Sequence, residues 1–235
     1  MTSRRASARH HFALIPAAGT GTRMGADIPK QYLTLAGKPV LQHVLDTFSS
    51  AAAIAHTFVV VSDGDPHIGA LMAAGAYANV TVLHAGGATR QQSVLNGLQA
   101  MRGIVADEDC VLVHDAARPG LTSALIDRLI DALRDDEVGG LLALPVVDTL
   151  KRADGAQRID TTVARERLWS AQTPQMFPYA LLQRALAASE AVTDEASAVE
   201  ALGLKPKLVE GSPRNFKITM AQDLALAELF LKGLA

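Results

Sequence analysis

Residues 14–40 read LIPAAGTGTRMGADIPKQYLTLAGKPV, from Leu14 to Val40. An apolar entry thins to Pro16, Ala17 and Ala18, then Gly19, Thr20, Gly21 and Gly25 crowd around Arg23, and Lys30 stands directly after Pro29. Small residues between a strand and a helix let backbone N–H groups approach a ligand closely, and a helix N-terminus adds partial positive charge. Phosphate is the natural guest. Two familiar phosphate loops do not fit, because G-x-G-x-x-G needs glycine where Met24 stands and the P-loop spacing matches neither Gly19 nor Gly21. What remains is a glycine-rich loop bearing the guanidinium of Arg23 and the ammonium of Lys30. Arginine offers a planar fork to two phosphate oxygens and lysine a mobile point charge, a pairing suited to a polyphosphate. A flexible surface turn is the plainer alternative.

Outward from this loop, short apolar runs alternate with stretches of helical spacing, the mark of parallel βαβ units. Phe12 to Ile15 is the first strand. Val40, Leu41, Val44, Leu45 and Phe48 share one helical stripe after Pro39. TFVVVS (Thr57 to Ser62) is apolar on both faces, as a central strand covered by helices on both sides should be. VTVLHAG, CVLVH and GGLLALPVV read as further strands, and SVLNGLQAM and LIDRLIDALRD as helices. The fold class expected is α/β, a doubly wound, mostly parallel sheet. Between Asp148 and Gln172 the periodicity weakens into a polar excursion that needs support from another subunit. At the end, Thr219 is expected to cap a helix, with Gln222 completing a capping box. Residues 1–11 read as a disordered basic tail, 12–235 as a single domain, and about 146–170 as an arm.

At 235 residues with 49% hydrophobic side chains, the chain can bury a sizeable core. Its 22 basic and 24 acidic residues imply no nucleic-acid face, and no apolar stretch approaches the ~20 residues that span a bilayer. Cys110 is the sole cysteine, which favours a reducing, cytoplasmic setting and a bland role inside a strand.

PAAGTGTRMGADIPKQY resembles the signature loop of the sugar-phosphate nucleotidyltransferases, within them the methylerythritol phosphate cytidylyltransferase family of non-mevalonate isoprenoid synthesis. GGATRQQSVLNGL, VLVHDAARP, PVVDTLKR, LWSAQTPQ, TDEASAVE, LVEGSPRNFKIT and DLALAE each resemble a family block, in the family's order, over nearly all of Phe12 to Leu231. The resemblance implies transfer of a cytidylyl group from CTP to methylerythritol phosphate with release of pyrophosphate. A ribitol phosphate cytidylyltransferase is the nearest rival, and a non-catalytic nucleotide-binding protein the rival from another class.

By resemblance, Pro16, Ala17, Ala18, Gly19, Thr20 and Gly21 wrap the CTP phosphates and ribose, and Arg23 and Lys30 stabilise the transition state and the departing pyrophosphate. Gly87 and Ser93 are implied as nucleotide contacts, although Ala88 stands where the family often has an acid. Asp115 emerges past the end of a buried strand, where ligands sit in open α/β sheets. The resemblance makes Asp115 and Arg118 contacts to the acceptor, with Asp115 as a weaker candidate ligand for Mg²⁺. Mg²⁺ itself follows from triphosphate chemistry, held mainly by phosphate oxygens. Thr149, Lys151 and Thr173 are further implied acceptor contacts. Arg165 is implied to reach the neighbouring subunit's site, so that a homodimer's arm completes each active site. Lys217, in what reads as an alternating late strand, is implied to bring its ammonium to the phosphates. His114 is expected to pack or bond backbone, Trp169 and Phe177 to pack, and Thr193, Asp194 and Glu195 to start a helix with a structural role.

Overall fold

The computed structural model describes residues 9–19 and 28–233. Strand β1 (His11–Pro16) sends Ala13 and Ile15 to one side and Phe12 and Leu14 to the other, all four buried. The short β2 (Thr34–Leu35) and β3 (Lys38–Pro39) form a hairpin through Ala36 and Gly37, both at positive φ. Two more strands divide as β1 does: β4 (His56–Val61) sets Val59 and Val61 against Phe58 and Val60, and β6 (Cys110–Val113) sets Cys110 and Leu112 against Val111 and Val113. Strands apolar on both faces must be covered on both. Helices α1 (Val40–Ser50), α2 (Ile68–Gly75) and α4 (Ser123–Ala132) cover the first face. The second lies under α3 (Arg90–Ala100), α5 (Tyr179–Ala188) and α6 (Glu195–Ala201).

Adding β5 (Val80–His84), β7 (Gly140–Pro145), β10 (Trp169–Pro178) and β11 (Lys207–Glu210) gives a seven-stranded sheet of order β11-β7-β10-β6-β1-β4-β5. Only β10 runs against its neighbours, pairing antiparallel with both β6 and β7 and shifting register between Ala171 and Gln175. The doubly wound, mostly parallel sheet is thus present. The chain order reverses at β1, whose neighbours are β4 on one side and β6 on the other, so a crevice opens beyond their carboxyl ends.

The polar excursion becomes an antiparallel ribbon of β8 (Leu150–Ala153) and β9 (Ile159–Val163), separate from the main sheet. Its base closes where Val146 N–H donates to the Leu168 carbonyl, and from Trp169 the chain is already β10. Several sequence expectations are corrected. His11, placed in the tail, belongs to β1. Residues 1–8 of that tail lie outside the described residues. Lys217 lies in no strand; its segment joins no ladder. Trp169 is 39% exposed, whereas Phe177 is fully buried. Before α7 (Gln222–Lys232), the carboxylate that reaches back to Thr219 N–H (2.7 Å) and hydroxyl (3.0 Å) and to Met220 N–H (2.8 Å) is Asp223, not Gln222. Thr219 is not the cap either: α7 begins at Gln222 after Ala221 with no side-chain cap, so Gln222 stands at the first helical position and not the third, and the Thr219 hydroxyl donates to Asp223 instead of accepting from a helix N–H.

Gly97 lets α3 approach β1 and β4, for an added Cβ would lie 2.7 Å from Val60 Cγ2 and 2.8 Å from Leu14 Cδ1. Alanine improves helix propensity by up to ~1 kcal/mol, but overpacking costs about 1–3 kcal/mol. Gly97→Ala should therefore lower the urea midpoint. A raised midpoint would show that the sheet yields freely beneath α3.

Candidate active site

The loop that leaves β1 is held from below. Ala17 N–H donates to the Val60 carbonyl (2.7 Å), Ser62 hydroxyl to the Ala18 carbonyl (3.0 Å), and the Gln31 amide to the carbonyls of Ala17 (2.6 Å) and Gly19 (2.9 Å). These bonds take up carbonyls that would repel an anion. Gly86 brings the second loop against the first: an added Cβ would meet the Ala18 Cβ at 2.6 Å. Beyond it, Ser93 hydroxyl accepts from Gly87 N–H (3.0 Å) and donates to the Thr89 carbonyl (3.0 Å), closing the turn into α3.

Past the end of β6, Asp115 is met by three cations. Arg90 Nε lies 2.9 Å from Oδ1, while Lys217 Nζ (2.9 Å) and Arg118 Nε (3.4 Å) share Oδ2. Arg90 turns its two terminal nitrogens to Glu195, at 2.6 and 3.1 Å. The segment carrying Lys217 is fixed by Arg118 Nη1 donating to the Asn215 carbonyl (2.8 Å), by Ile218 N–H donating to the Ala117 carbonyl (2.9 Å), and by Lys30 Nζ donating to the Ile218 carbonyl (3.1 Å). Behind Asp115, its N–H donates to Thr173 hydroxyl (3.1 Å), which lies 2.9 Å from His114 Nδ1. The Arg118 carbonyl, 3.2 Å from Nε2, can only accept, so neutral His114 carries its proton on Nε2 and its Nδ1 accepts from the Thr173 hydroxyl.

These residues wall a cavity of about 550 Å³. Pro16, Ala17, Ala18, Gly19, Lys30, Gly87, Ser93, Asp115 and Lys217, all foreseen from sequence, line it, and Arg118 adjoins through Asp115. Thr20, Gly21 and Arg23 lie outside the described residues. Thr173 sits buried behind Asp115 rather than on the wall, its hydroxyl committed to the two bonds above. Thr149, Lys151 and Arg165 lie on the ribbon and its return; Lys151 Nζ bonds Thr162 (2.7 Å) and Arg165 bonds the Val147 carbonyl. Sequence reasoning misses Arg90, Gln31 and Ser62. A cation at the first position of a helix, where the dipole disfavours it, is the available signal for Arg90. Glu195 has that same dipole as a sufficient local reason, yet it is fully buried and bound to a residue 105 positions away.

Three cations face two carboxylates, and Lys30 adds another positive charge to the wall, so the cavity favours an anion. Burial alone would raise the Asp115 carboxyl; Arg90, Lys217 and Arg118 overcome this and hold it well below the usual carboxylate range. Burial pushes Glu195 up against the pull of Arg90. Arg90 itself is raised by Glu195 and Asp115 against the effect of burial.

A doubly wound sheet whose switch point opens on a small-residue loop and a cationic cavity defines the nucleotidyltransferase class of enzyme. Residues 11–233 match the family described as IspD: 2-C-methyl-D-erythritol 4-phosphate cytidylyltransferase. The chain is 56% identical to the protein of that name from Ralstonia nicotianae, over 97% of this chain and 94% of that one. To the one from Nitrosospira multiformis it is 54% identical, over 96% and 99%. A crystal structure of 4-diphosphocytidyl-2C-methyl-D-erythritol synthase superposes with a TM-score of 0.86 at 45% identity, over 95% and 99%. The cytidylyltransferase from Thermus thermophilus gives 0.75 at 34%, over 93% and 98%. The chain belongs to the 2-C-methyl-D-erythritol 4-phosphate cytidylyltransferase family.

Burial lowers His114 to about 4, against an ordinary value of 6.5. Between those values the unfolded chain binds a proton the folded one refuses, so acid favours unfolding. Nothing is lost above pH 6.5, and the full penalty, about 3 kcal/mol, is reached below pH 4. Stability from urea titrations should fall more steeply between pH 6.5 and 4 in the wild type than in His114→Gln. Parallel curves would mean that His114 is not the group refusing the proton.

Proposed function

We propose that this chain transfers the cytidylyl group of CTP to 2-C-methyl-D-erythritol 4-phosphate, giving 4-diphosphocytidyl-2-C-methyl-D-erythritol and pyrophosphate. The observation that carries the reading is the net positive cluster of Lys217, Arg118 and Arg90 around Asp115, with Lys30 on the same cavity wall, at the switch point of a sheet belonging to this family. The acceptor phosphate oxygen forms a bond to the α-phosphorus, the bond from that phosphorus to the bridging oxygen breaks, and its electron pair leaves with pyrophosphate. Both reactants are anions, so the first requirement is to bring them together against their repulsion. Lys217 and Lys30 stand where they can face both. Backbone of Pro16 to Gly19 gives the triphosphate a close surface, and Asp115 offers an acceptor to substrate hydroxyls. Ribitol phosphate is the less favoured acceptor.

The donor set does not fit a metal held by the protein. Asp115 is the one carboxylate among the described residues lining the cavity, and both its oxygens already meet cations. The reading therefore places Mg²⁺ on the CTP phosphate oxygens. Among the described residues no helix is long and apolar enough to cross a membrane.

The ribbon supports a homodimer reading. It stands off the sheet with Ile159 67% and Val147 72% exposed, and an isolated two-stranded ribbon is marginal in water. A second copy covering it would carry Thr149, Lys151 and Arg165 to the neighbouring cavity, where Arg165 meets the acceptor phosphate.

Pyrophosphate release should be rapid with CTP and methylerythritol phosphate, slow with ribitol phosphate, and slow with ATP, GTP or UTP. A preference for ribitol phosphate would reassign the acceptor. Lys30→Ala should lower turnover by roughly 10²–10³ with the far-UV spectrum unchanged, as loss of a preorganised charge does; unaltered turnover would remove Lys30 from the chemistry. Mixing Lys30→Ala with Arg165→Ala chains should restore about a quarter of wild-type activity, since one site of each mixed dimer has both groups intact. No recovery, with mixed dimers shown to form, would end the cross-subunit reading.

A further inference from the structure

Glu195 is a fully buried carboxylate that touches no wall of the cavity, yet it binds the residue that does. Burying an ion pair has little stability motive, because well-packed apolar residues of similar volume serve as well or better. Its backbone is also clamped. Asp194 caps α6 by accepting from Ser197 N–H (2.9 Å), and Gln175 of β10 accepts from Ala196 N–H (2.8 Å) while donating to Asp194 Oδ2 (2.9 Å). The carboxylate is thus presented at a fixed height beside α3. It takes both terminal nitrogens of Arg90, which orients the guanidinium plane and leaves Nε for Asp115 Oδ1 at 2.9 Å.

We infer that Glu195 is a positioning residue: through Arg90 it sets the rotation of the Asp115 carboxylate, and thereby the seat of the Lys217 ammonium. The mechanical reason is the division of Asp115 between its oxygens. Among the described residues Oδ1 is held by Arg90, whereas Oδ2 faces Lys217 and Arg118. If Arg90 swings away, the carboxylate is free to turn toward the two remaining cations and no longer presents the same edge to the cavity. A fork held at both tips cannot swing. A lysine in place of Arg90 could not bond both partners in this fixed geometry.

This inference rests on the proposed function for its kinetic readout, so a structural readout independent of activity stands beside it. Glu195→Gln should raise KM for methylerythritol phosphate roughly tenfold or more and leave KM for CTP within about twofold, with Glu195→Asp recovering part of the loss. Made in an Asp115→Asn background, Glu195→Gln should add less than about twofold, because both act through one carboxylate. Full multiplication of the two effects would overturn the inference, and so would losses in both KM values that merely follow the fraction unfolded. If Glu195→Gln does not fold, Arg90→Met combined with Glu195→Leu removes both charges together. In its crystal structure the Asp115 carboxylate should be rotated and its Oδ2 to Lys217 distance changed; a carboxylate in the wild-type pose would overturn the inference whether or not the enzyme turns over. A wild-type protein inert toward CTP and methylerythritol phosphate would count against the proposed function alone, with the crystallographic comparison still deciding the role of Glu195.

Discussion

Much of the site depends on one carboxylate shared by three cations. Asp115 draws Arg90, Arg118 and Lys217 from three separate regions of the chain to the carboxyl end of β6; Arg90 is held in addition by Glu195, and Arg118 by the Asn215 carbonyl. Without Asp115 these cations would repel one another at close range in a partly desolvated cavity, where such repulsion is far stronger than in water. With it they form a cluster that still lacks full neutralisation. The fold therefore keeps a positive field ready before any phosphate arrives, and little reorganisation is left for the moment of reaction.

The rest of the architecture explains why Asp115 can do this. Its N–H is fixed by Thr173 on β10, the one strand that runs against the sheet, and Thr173 is in turn locked by neutral His114. The Lys217 segment has no ladder to hold it, so it borrows hydrogen bonds from Arg118, Ala117 and Lys30. A break in any of these would move an ammonium, not merely loosen a loop. Function here is tied to side-chain bonds across long sequence separations, while the parallel strands supply only the platform.

That distinction decides what can be read from the sequence. Nearly unbroken apolar runs in Phe12–Ile15, Thr57–Val61 and Cys110–Val113 make the sheet legible, because burial on both faces leaves a direct imprint on residue type. The small-residue loop opens on the cavity, and Asp115 and Lys30 fall on its walls. Lys217 is identified through resemblance, but the strand expected around it is absent: NFKIT alternates, and alternation does not say whether a ladder partner exists. Glu195 is hidden for a different reason. A first-turn acid satisfies the helix dipole, so its local surroundings offer a sufficient explanation and give no sign of Arg90 far away. Thr173 likewise looks like a polar residue free to meet substrate until His114 and the Asp115 N–H are seen to claim its hydroxyl.

The two carboxylates divide their labour by depth. Asp115 lies at the cavity wall, where three cations hold it ionised and it remains available as an acceptor. Glu195 lies wholly inside, where it can meet no ligand and its charge is matched by one guanidinium. Arg90 joins the two levels, and its planar fork is what allows one side chain to read both geometries at once. An anion entering the cavity would pull on Arg90 and Lys217 from outside while Glu195 and Asp115 hold from within. Under the proposed transfer, that resistance keeps the cations from collapsing onto the ligand and preserves the alignment on which the barrier to in-line attack largely depends.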